Sequence, residues 1–135
     1  TDEKSHFFRA FLIDKGCILI MPTALADAIR DVPDFPKPGI IFKDITPILA
    51  NPALLQRSID LLVETAKDQK IDKVVGIDAR GFIFASPIAL ALGAGFVPVR
   101  KAGKLPWKTH SASYTLEYGE NIVEIHQDAI QPGEK

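Results

Sequence analysis

The sequence predicts an α/β domain, a parallel sheet flanked by helices with a small antiparallel β flap, and three observations lead there. "KVVGID", "FIFASPIALALG" and "GFVPV" read as strand, helix and strand, a succession that calls for a right-handed crossover and parallel pairing. Residues 52 to 69 carry Leu55, Ile59, Leu62 and Ala66 at spacings of four, three and four, the stripe of a helix lying on a core. "SYTLEYGENIVEIH" holds two strand-like runs around a turn at Tyr118-Gly119-Glu120.

Taken in order, the elements begin at Thr23, which is placed to cap a short helix over residues 24 to 31 with Leu25, Ala28, Ile29 and Val32 on one side. "VPDFPKPG" then puts Pro33, Pro36 and Pro38 close together and forces an extended path to Gly39. "IIFKDI" is a compact strand candidate, rich in β-branched and aromatic residues. Thr46-Pro47 and Asn51-Pro52 each read as a cap followed by proline in the first helical position, and the second opens the long helix. On that helix Arg57, Asp60, Glu64 and Lys67 stay wet. The helix in "FIFASPIALALG" is apolar nearly all round, so burial on more than one side is expected. "KAGKLPWKTHSAS" is punctuated by glycine and proline without a period and reads as a long mobile loop, and "IQPGEK" is a turn signal.

The 135 residues are a single-domain length, sufficient for a modest core. With 47% hydrophobic and 24% charged residues, wholesale disorder and fibrous repeats are excluded as descriptions of the chain. A net charge of -1 argues against a protein built to coat nucleic acid or an anionic membrane, while leaving room for a local basic site. Cys17 is the only cysteine and no Cys/His cluster has metal-ligand spacing, which fits a reducing, cytoplasmic home. The apolar pieces before residue 21 are cut by Asp14-Lys15 and fall short of the roughly 20 residues a spanning helix needs. Residues 1 to 22 are read as an N-terminal extension, with Met21 a candidate natural start, and the domain as residues 23 to 135.

The chemistry concentrates where the first strand of the pair meets its helix. In open parallel sheets ligands lie beyond the carboxyl ends of strands, where helix amino termini offer N–H groups to anions. "GIDARGF" occupies that place, with Gly76 and Gly81 spaced as in a P-loop but followed by Phe82-Ile83 instead of Lys and Ser or Thr. Two readings stand on these residues alone. The glycines let a phosphate approach while Arg80 supplies the cation, or Gly76 merely relieves packing and Arg80 pairs with Asp78. The next strand favours the first, since it ends in Arg100 and Lys101, followed by Lys104 and Lys108, with no acidic residue between Arg80 and Glu117. A phosphate-rich small molecule fits better than nucleic acid, because the basic stretch is short and its aromatic content is little more than Trp107. His110 and His126 have no spacing that marks a triad or a metal site and are read as incidental.

"DFPKPGIIFKDITPIL", "GIDARGF", "FVPVRKAGKLP", "YTLEYG" and "EIHQDAIQPGEK" occur in the order found in adenine phosphoribosyltransferases, and the chain resembles that family from about Ala24 to Lys135. The resemblance implies a type I phosphoribosyltransferase fold, incomplete, and the reaction of adenine with phosphoribosyl pyrophosphate to give AMP and pyrophosphate. It implies Mg2+ held mainly through substrate phosphates, with no protein metal site, and a homodimer that engages neither nucleic acid nor membrane. By the same resemblance Asp78, Ala79, Arg80 and Gly81 form the pyrophosphate loop, with a cis Asp78–Ala79 peptide, and Arg100, Lys101 and Lys104 add cations for that group. Ile41, Phe42 and Lys43 match the segment that holds adenine, although a phenylalanine in an apolar strand also serves as plain core. Glu117 and Tyr118 match the mobile flap near residues 111 to 126, and Glu117 with Arg80 is the implied catalytic pair, the carboxylate handling a purine ring proton.

Members of the family continue past the "PGEK" turn with a buried strand, adjacent acids and a glycine- and threonine-rich loop for the ribose phosphate. These 135 residues contain no such segment, so a truncated family member is expected, one that alone makes essentially no AMP and leaves a sheet edge unpaired. The rival reading from another class is a non-catalytic purine- or phosphoribosyl-pyrophosphate-sensing module. It needs a DNA-binding partner domain, which residues 1 to 32 are too short and too little basic to supply. A plain structural domain leaves the placement of Arg80, Arg100 and Lys101 at strand ends without a reason.

Overall fold

The computed structural model describes residues 23–116 and 119–135. They form two compact units, one running through Gln56 and the other Arg57–Lys135. No helix among the described residues is long and apolar enough to cross a membrane.

In the first unit the first described helix, α1, Thr23–Asp27, is shorter than its apolar spacing suggests. The residues expected to finish it instead form strand β1, Arg30–Val32, antiparallel to β2, Phe42–Asp44. Opposite charges explain the switch. Arg30 faces Asp44 and Asp31 faces Lys43 in the register, with ion pairs of 3.6 and 2.6 Å, and such directly opposed pairs favour the ribbon. Among the described residues of this unit, Leu25, Ile45 and Ile48 are the buried apolar side chains.

Helix α2, Thr46–Ala50, begins one residue earlier than predicted, and Thr46 is not its cap. Asp44 takes that part: its carboxylate accepts the Thr46 N–H at 2.9 Å and the Thr46 hydroxyl at 2.8 Å. Asn51 does cap the next helix, α3, Pro52–Glu64, accepting from the N–H groups of Ala53 and Leu54 at 3.0 and 3.2 Å. Proline opens α3 where its missing N–H costs nothing. The helix stops at Glu64 instead of residue 69 and passes into turns, with Arg57, Asp60, Glu64 and Lys67 exposed as expected.

The second unit is built on a four-stranded sheet ordered β3–β4–β6–β5, with β3 at Lys73–Ile77, β4 at Gly95–Lys101, β5 at Thr109–Leu116 and β6 at Gly119–His126. The predicted parallel pair is present, in register from Lys73↔Gly95 to Ile77↔Val99, joined by helix α4, Arg80–Leu92. The sheet as a whole is mixed. The hairpin expected as a separate flap is continuous with it, through Arg100↔Glu124 and Lys101↔Val123. The loop after β4 is also shorter than predicted, because Thr109 to Ser113 are strand, paired from Thr109↔His126 onward. Their polar, short side chains hide the strand from a periodicity argument, and the ladder to β6 supplies what propensity does not. Gly119 and Glu120, read as turn, begin β6.

Helix α4 packs on β3 and β4 and buries Ala85 and Ala89. Its opposite face is open, against the expectation of burial on more than one side: Ile83 is 42% and Leu90 82% exposed. The helix ends at Gly93, whose φ of 65° is the left-handed conformation of a C-terminal cap and whose N–H reaches Ala89 and Leu90 carbonyls. The final turn has a destination too. Lys135 accepts the N–H groups of Asp72 and Lys73 at 2.8 and 3.0 Å and donates its own to the Asp72 carboxylate at 3.0 Å, lying beside the start of β3.

Candidate functional site: the turn between β3 and α4

Parallel pairing brings the ends of β3 and β4 together, and the backbone locks them there: the Asp78 N–H donates to the Val99 carbonyl at 2.8 Å. One residue later on β4, Arg100 turns its guanidinium back onto the same turn, with Nε 2.9 Å from Asp78 Oδ2 and Nη1 3.3 Å from the Lys104 carbonyl. Arg100 thus clasps the β3–α4 turn on one side and the segment carrying Lys101 and Lys104 on the other. The Asp78 carboxylate thus has an ion-pair partner on the neighbouring strand, Arg100. Both partners keep partial solvent contact, 35% for Arg100 and 20% for Asp78, so the pair holds geometry more than it stabilises the fold.

The Asp78–Ala79 peptide is cis, as the resemblance implied. Ala79 occupies the N-cap of α4 and contributes no side-chain hydrogen bond, and Arg80, exposed, is the first helical residue. Lys101 and Lys104 are exposed as well. A helix start of this kind presents backbone N–H groups and a partial positive charge to an anion.

The two glycines of the turn divide their work. Neither has a positive φ. A Cβ at Gly76 falls 2.8 Å from both Ala85 Cβ and Phe96 Cε2, so Gly76 is there to let α4 cross the strand closely. Gly81 has room for a Cβ, with its nearest neighbour at 3.4 Å, and packing does not account for it.

Ile41, Phe42 and Lys43 lie in the first unit. Ile41 is 59% exposed just before β2. Phe42 is half-buried with its ring edge-on to Phe35 at 5.2 Å, and Lys43 is paired with Asp31. Because a strand alternates its faces, Phe42 and Lys43 point to opposite sides, and only one of them can meet the face of a base. Glu117 and Tyr118 lie outside the described residues. An open recess of about 210 Å³ lies on the other part of the sheet, lined by Val99, His110, Ser111, Glu124 and their neighbours, and does not include the cations of the turn.

Among the described residues no three His, Cys, Asp or Glu side chains gather into a metal cage. Magnesium tolerates that, since it is commonly held by one or two carboxylates, waters and the phosphates of a substrate.

The phosphoribosyl transferase domain profile matches residues 44–127, which takes in the whole turn and both cationic strands. This chain belongs to the phosphoribosyltransferase family. An adenine phosphoribosyltransferase of Anaeromyxobacter dehalogenans is 59% identical over 115 residues, an alignment covering 85% of this chain and 67% of that protein. The adenine phosphoribosyltransferase structure from Rhodothermus marinus superposes with a TM-score of 0.77 at 57% identity, over 83% of this chain and 64% of that one. The Saccharomyces cerevisiae enzyme, solved with an imino-altritol bisphosphate and adenine, gives a TM-score of 0.77 at 47% identity, over 83% and 66%. This phosphoribosyltransferase chain therefore spans about two thirds of the length of the relatives it matches.

One member of the site escaped the sequence reading. Glu124 lies beside Arg100 in the register, and its carboxylate accepts the Gly103 N–H at 3.0 Å within the cationic segment. The available signal was a lone acid inside the apolar run Ile122-Val123-Glu124-Ile125.

Proposed function

We propose that this chain carries the phosphoribosyl transfer of adenine salvage, in which phosphoribosyl pyrophosphate and adenine give AMP and pyrophosphate. The observation that supports it most is the Asp78–Arg100 clasp, which holds the Arg80 turn and the Lys101–Lys104 segment at one end of the parallel pair. In this reading the uncapped start of α4, Arg80 and the two lysines receive the pyrophosphate. As the bond from ribose to that group loosens, negative charge grows on the leaving oxygens, and cations fixed beforehand stabilise it more than they stabilise bound substrate. Magnesium, when bound, would neutralise phosphate charge and would be held mainly through the substrate's phosphates.

Adenine falls to Ile41, Phe42 and Lys43, with an apolar ring against the purine and backbone groups reading its edge. Glu117 serves as the acid-base group for a ring proton and Tyr118 closes with it. The working form is a cytoplasmic homodimer. Relatives that are adenine phosphoribosyltransferases, one of them solved with adenine, support the choice of base.

Titration calorimetry with pyrophosphate and with adenine tests the reading. The chain should bind both, and Arg80→Ala should weaken pyrophosphate about tenfold or more, as loss of a charge-assisted contact does, while sparing adenine. A chain that takes up no pyrophosphate, or a variant that binds it as before, overturns the assignment.

A further inference from the structure

We propose that Glu124 is a positioning residue that fixes the cationic segment after β4 for anion binding; the inference rests on the pyrophosphate reading above. β6 lies between β4 and β5, and Glu124 stands opposite Arg100 on one side and Ser111 on the other. Its two carboxylate oxygens do separate jobs. Oε2 accepts the Gly103 N–H at 3.0 Å, and Oε1 accepts the Ser111 hydroxyl at 3.3 Å.

Gly103 is the hinge of the segment, at a φ of 80° that other residues rarely adopt. Around it the Lys104 N–H reaches the Lys101 carbonyl at 3.2 Å, the Ala102 N–H reaches Ile122 at 3.2 Å, and Arg100 holds the Lys104 carbonyl. The segment thus hangs from β6 and from Arg100, and among the described residues its only side-chain tether from β6 is Glu124. A charged acceptor makes a stronger hold than a neutral one.

Charge alone argues the other way. A carboxylate beside Arg100, Lys101 and Lys104 lowers the positive potential an anion would meet, so by electrostatics its removal should tighten anion binding. Positioning and electrostatics therefore predict opposite signs. If Glu124 orders the lysines, losing it releases the Gly103 turn and the anion must order that turn on arrival, which weakens binding.

The test uses the full 135-residue chain, inorganic pyrophosphate and adenine as probes, and the exchange rate of the Gly103 amide followed by NMR. Glu124→Ala is expected to weaken pyrophosphate about tenfold, leave adenine within about twofold, and speed exchange at Gly103, the loss of one charge-assisted acceptor being of that size. Glu124→Gln keeps an acceptor for the Gly103 N–H without the charge, and should restore slow exchange and hold pyrophosphate affinity within about threefold of the parent. Should the alanine variant lose its folded thermal transition, Glu124→Leu, which keeps the bulk of the side chain, carries the same expectation. Tighter or unchanged pyrophosphate binding in the alanine or leucine variant, with the parent binding normally, overturns the inference. An unsubstituted chain that takes up no pyrophosphate sinks the earlier functional reading instead, and unaltered Gly103 exchange in that case removes the tether as well.

Discussion

Alanine substitution at the two glycines of the turn separates packing from ligand approach. At position 76 the added methyl would lie 2.8 Å from Ala85 Cβ, 2.8 Å from Phe96 Cε2 and 3.1 Å from the Gly81 carbonyl oxygen. Carbon atoms rest about 3.5–4.0 Å apart, so α4 would have to retreat by something near an ångström. Phe96 cannot simply swing aside, because its ring stands edge-on to Phe82 at 5.6 Å, and Ala85 Cβ moves only with its helix. Overpacking of this kind costs about 1–3 kcal/mol. A mid-range ~2 kcal/mol lowers the melting temperature by roughly 8 °C at about 4 °C per kcal/mol.

At position 81 the nearest atom, the Gly76 carbonyl carbon, is 3.4 Å from the new methyl, an ordinary contact. Alanine in a helical position gains up to about 1 kcal/mol over glycine, so Gly81→Ala should melt no lower than the parent. It should nevertheless weaken pyrophosphate, since a methyl at the start of α4 stands where a phosphate has to come close. Thermal unfolding followed by circular dichroism, with calorimetric titration on the same samples, reads both effects. Adding Ala85→Gly to the Gly76 variant should recover part of the lost stability, the coupling expected of two atoms in collision. A Gly76→Ala melting point within about 2 °C of the parent would refute the packing argument, given that ~1 kcal/mol already shifts it by more. Unchanged pyrophosphate affinity in Gly81→Ala would refute the approach argument for that residue.

Other substitutions probe the supports. Arg100→Lys should cost the fold under about 1 kcal/mol, because the pair is partly exposed, yet weaken pyrophosphate about tenfold, since an ammonium cannot hold Asp78 and the Lys104 carbonyl in one fork. Asn51→Ala removes the acceptor for two N–H groups of α3 and should lower stability by about 1 kcal/mol, read as a shift in the urea midpoint. The Thr46 N–H, then the Thr46 hydroxyl, then the Arg30 charge hold the Asp44 carboxyl below the usual aspartate range. A lowered pKa stabilises the fold above the unfolded value of about 3.9 and loses that contribution as pH falls through the folded value, so Asp44→Asn should flatten the acid limb of the stability profile there.

What the chain announces in one dimension is what depends on neighbours in sequence. The parallel pair and its helix were legible because "KVVGID", "FIFASPIALALG" and "GFVPV" each carry their own pattern, and the Asn51 cap because it needs only the next three residues. Arg30 and Asp31 read as helix because the charges that pull them into a strand sit on Lys43 and Asp44, beyond a proline-rich loop. Thr109 to Ser113 were read as loop because their strand exists only against β6. The helix that carries the exposed Ile83 and Leu90 reads as buried on more than one side because hydrophobicity tells that a surface is apolar, not whether a neighbour covers it.

The same division runs through the site. Arg80, Arg100 and Lys101 stand out as cations at strand ends, so composition and spacing suffice to find them. Their partners do not: Asp78 pairs with Arg100, 22 residues away, because parallel pairing sets Val99 against Ile77 and delivers Arg100 one step beyond. Glu124 is recruited to Gly103 across 21 residues by the antiparallel register next door. A sheet can bring a carboxylate to each side of an arginine only after both its parallel and its antiparallel junction have formed. The cations that meet a ligand are therefore encoded locally, while the acids that aim them are encoded by strand order.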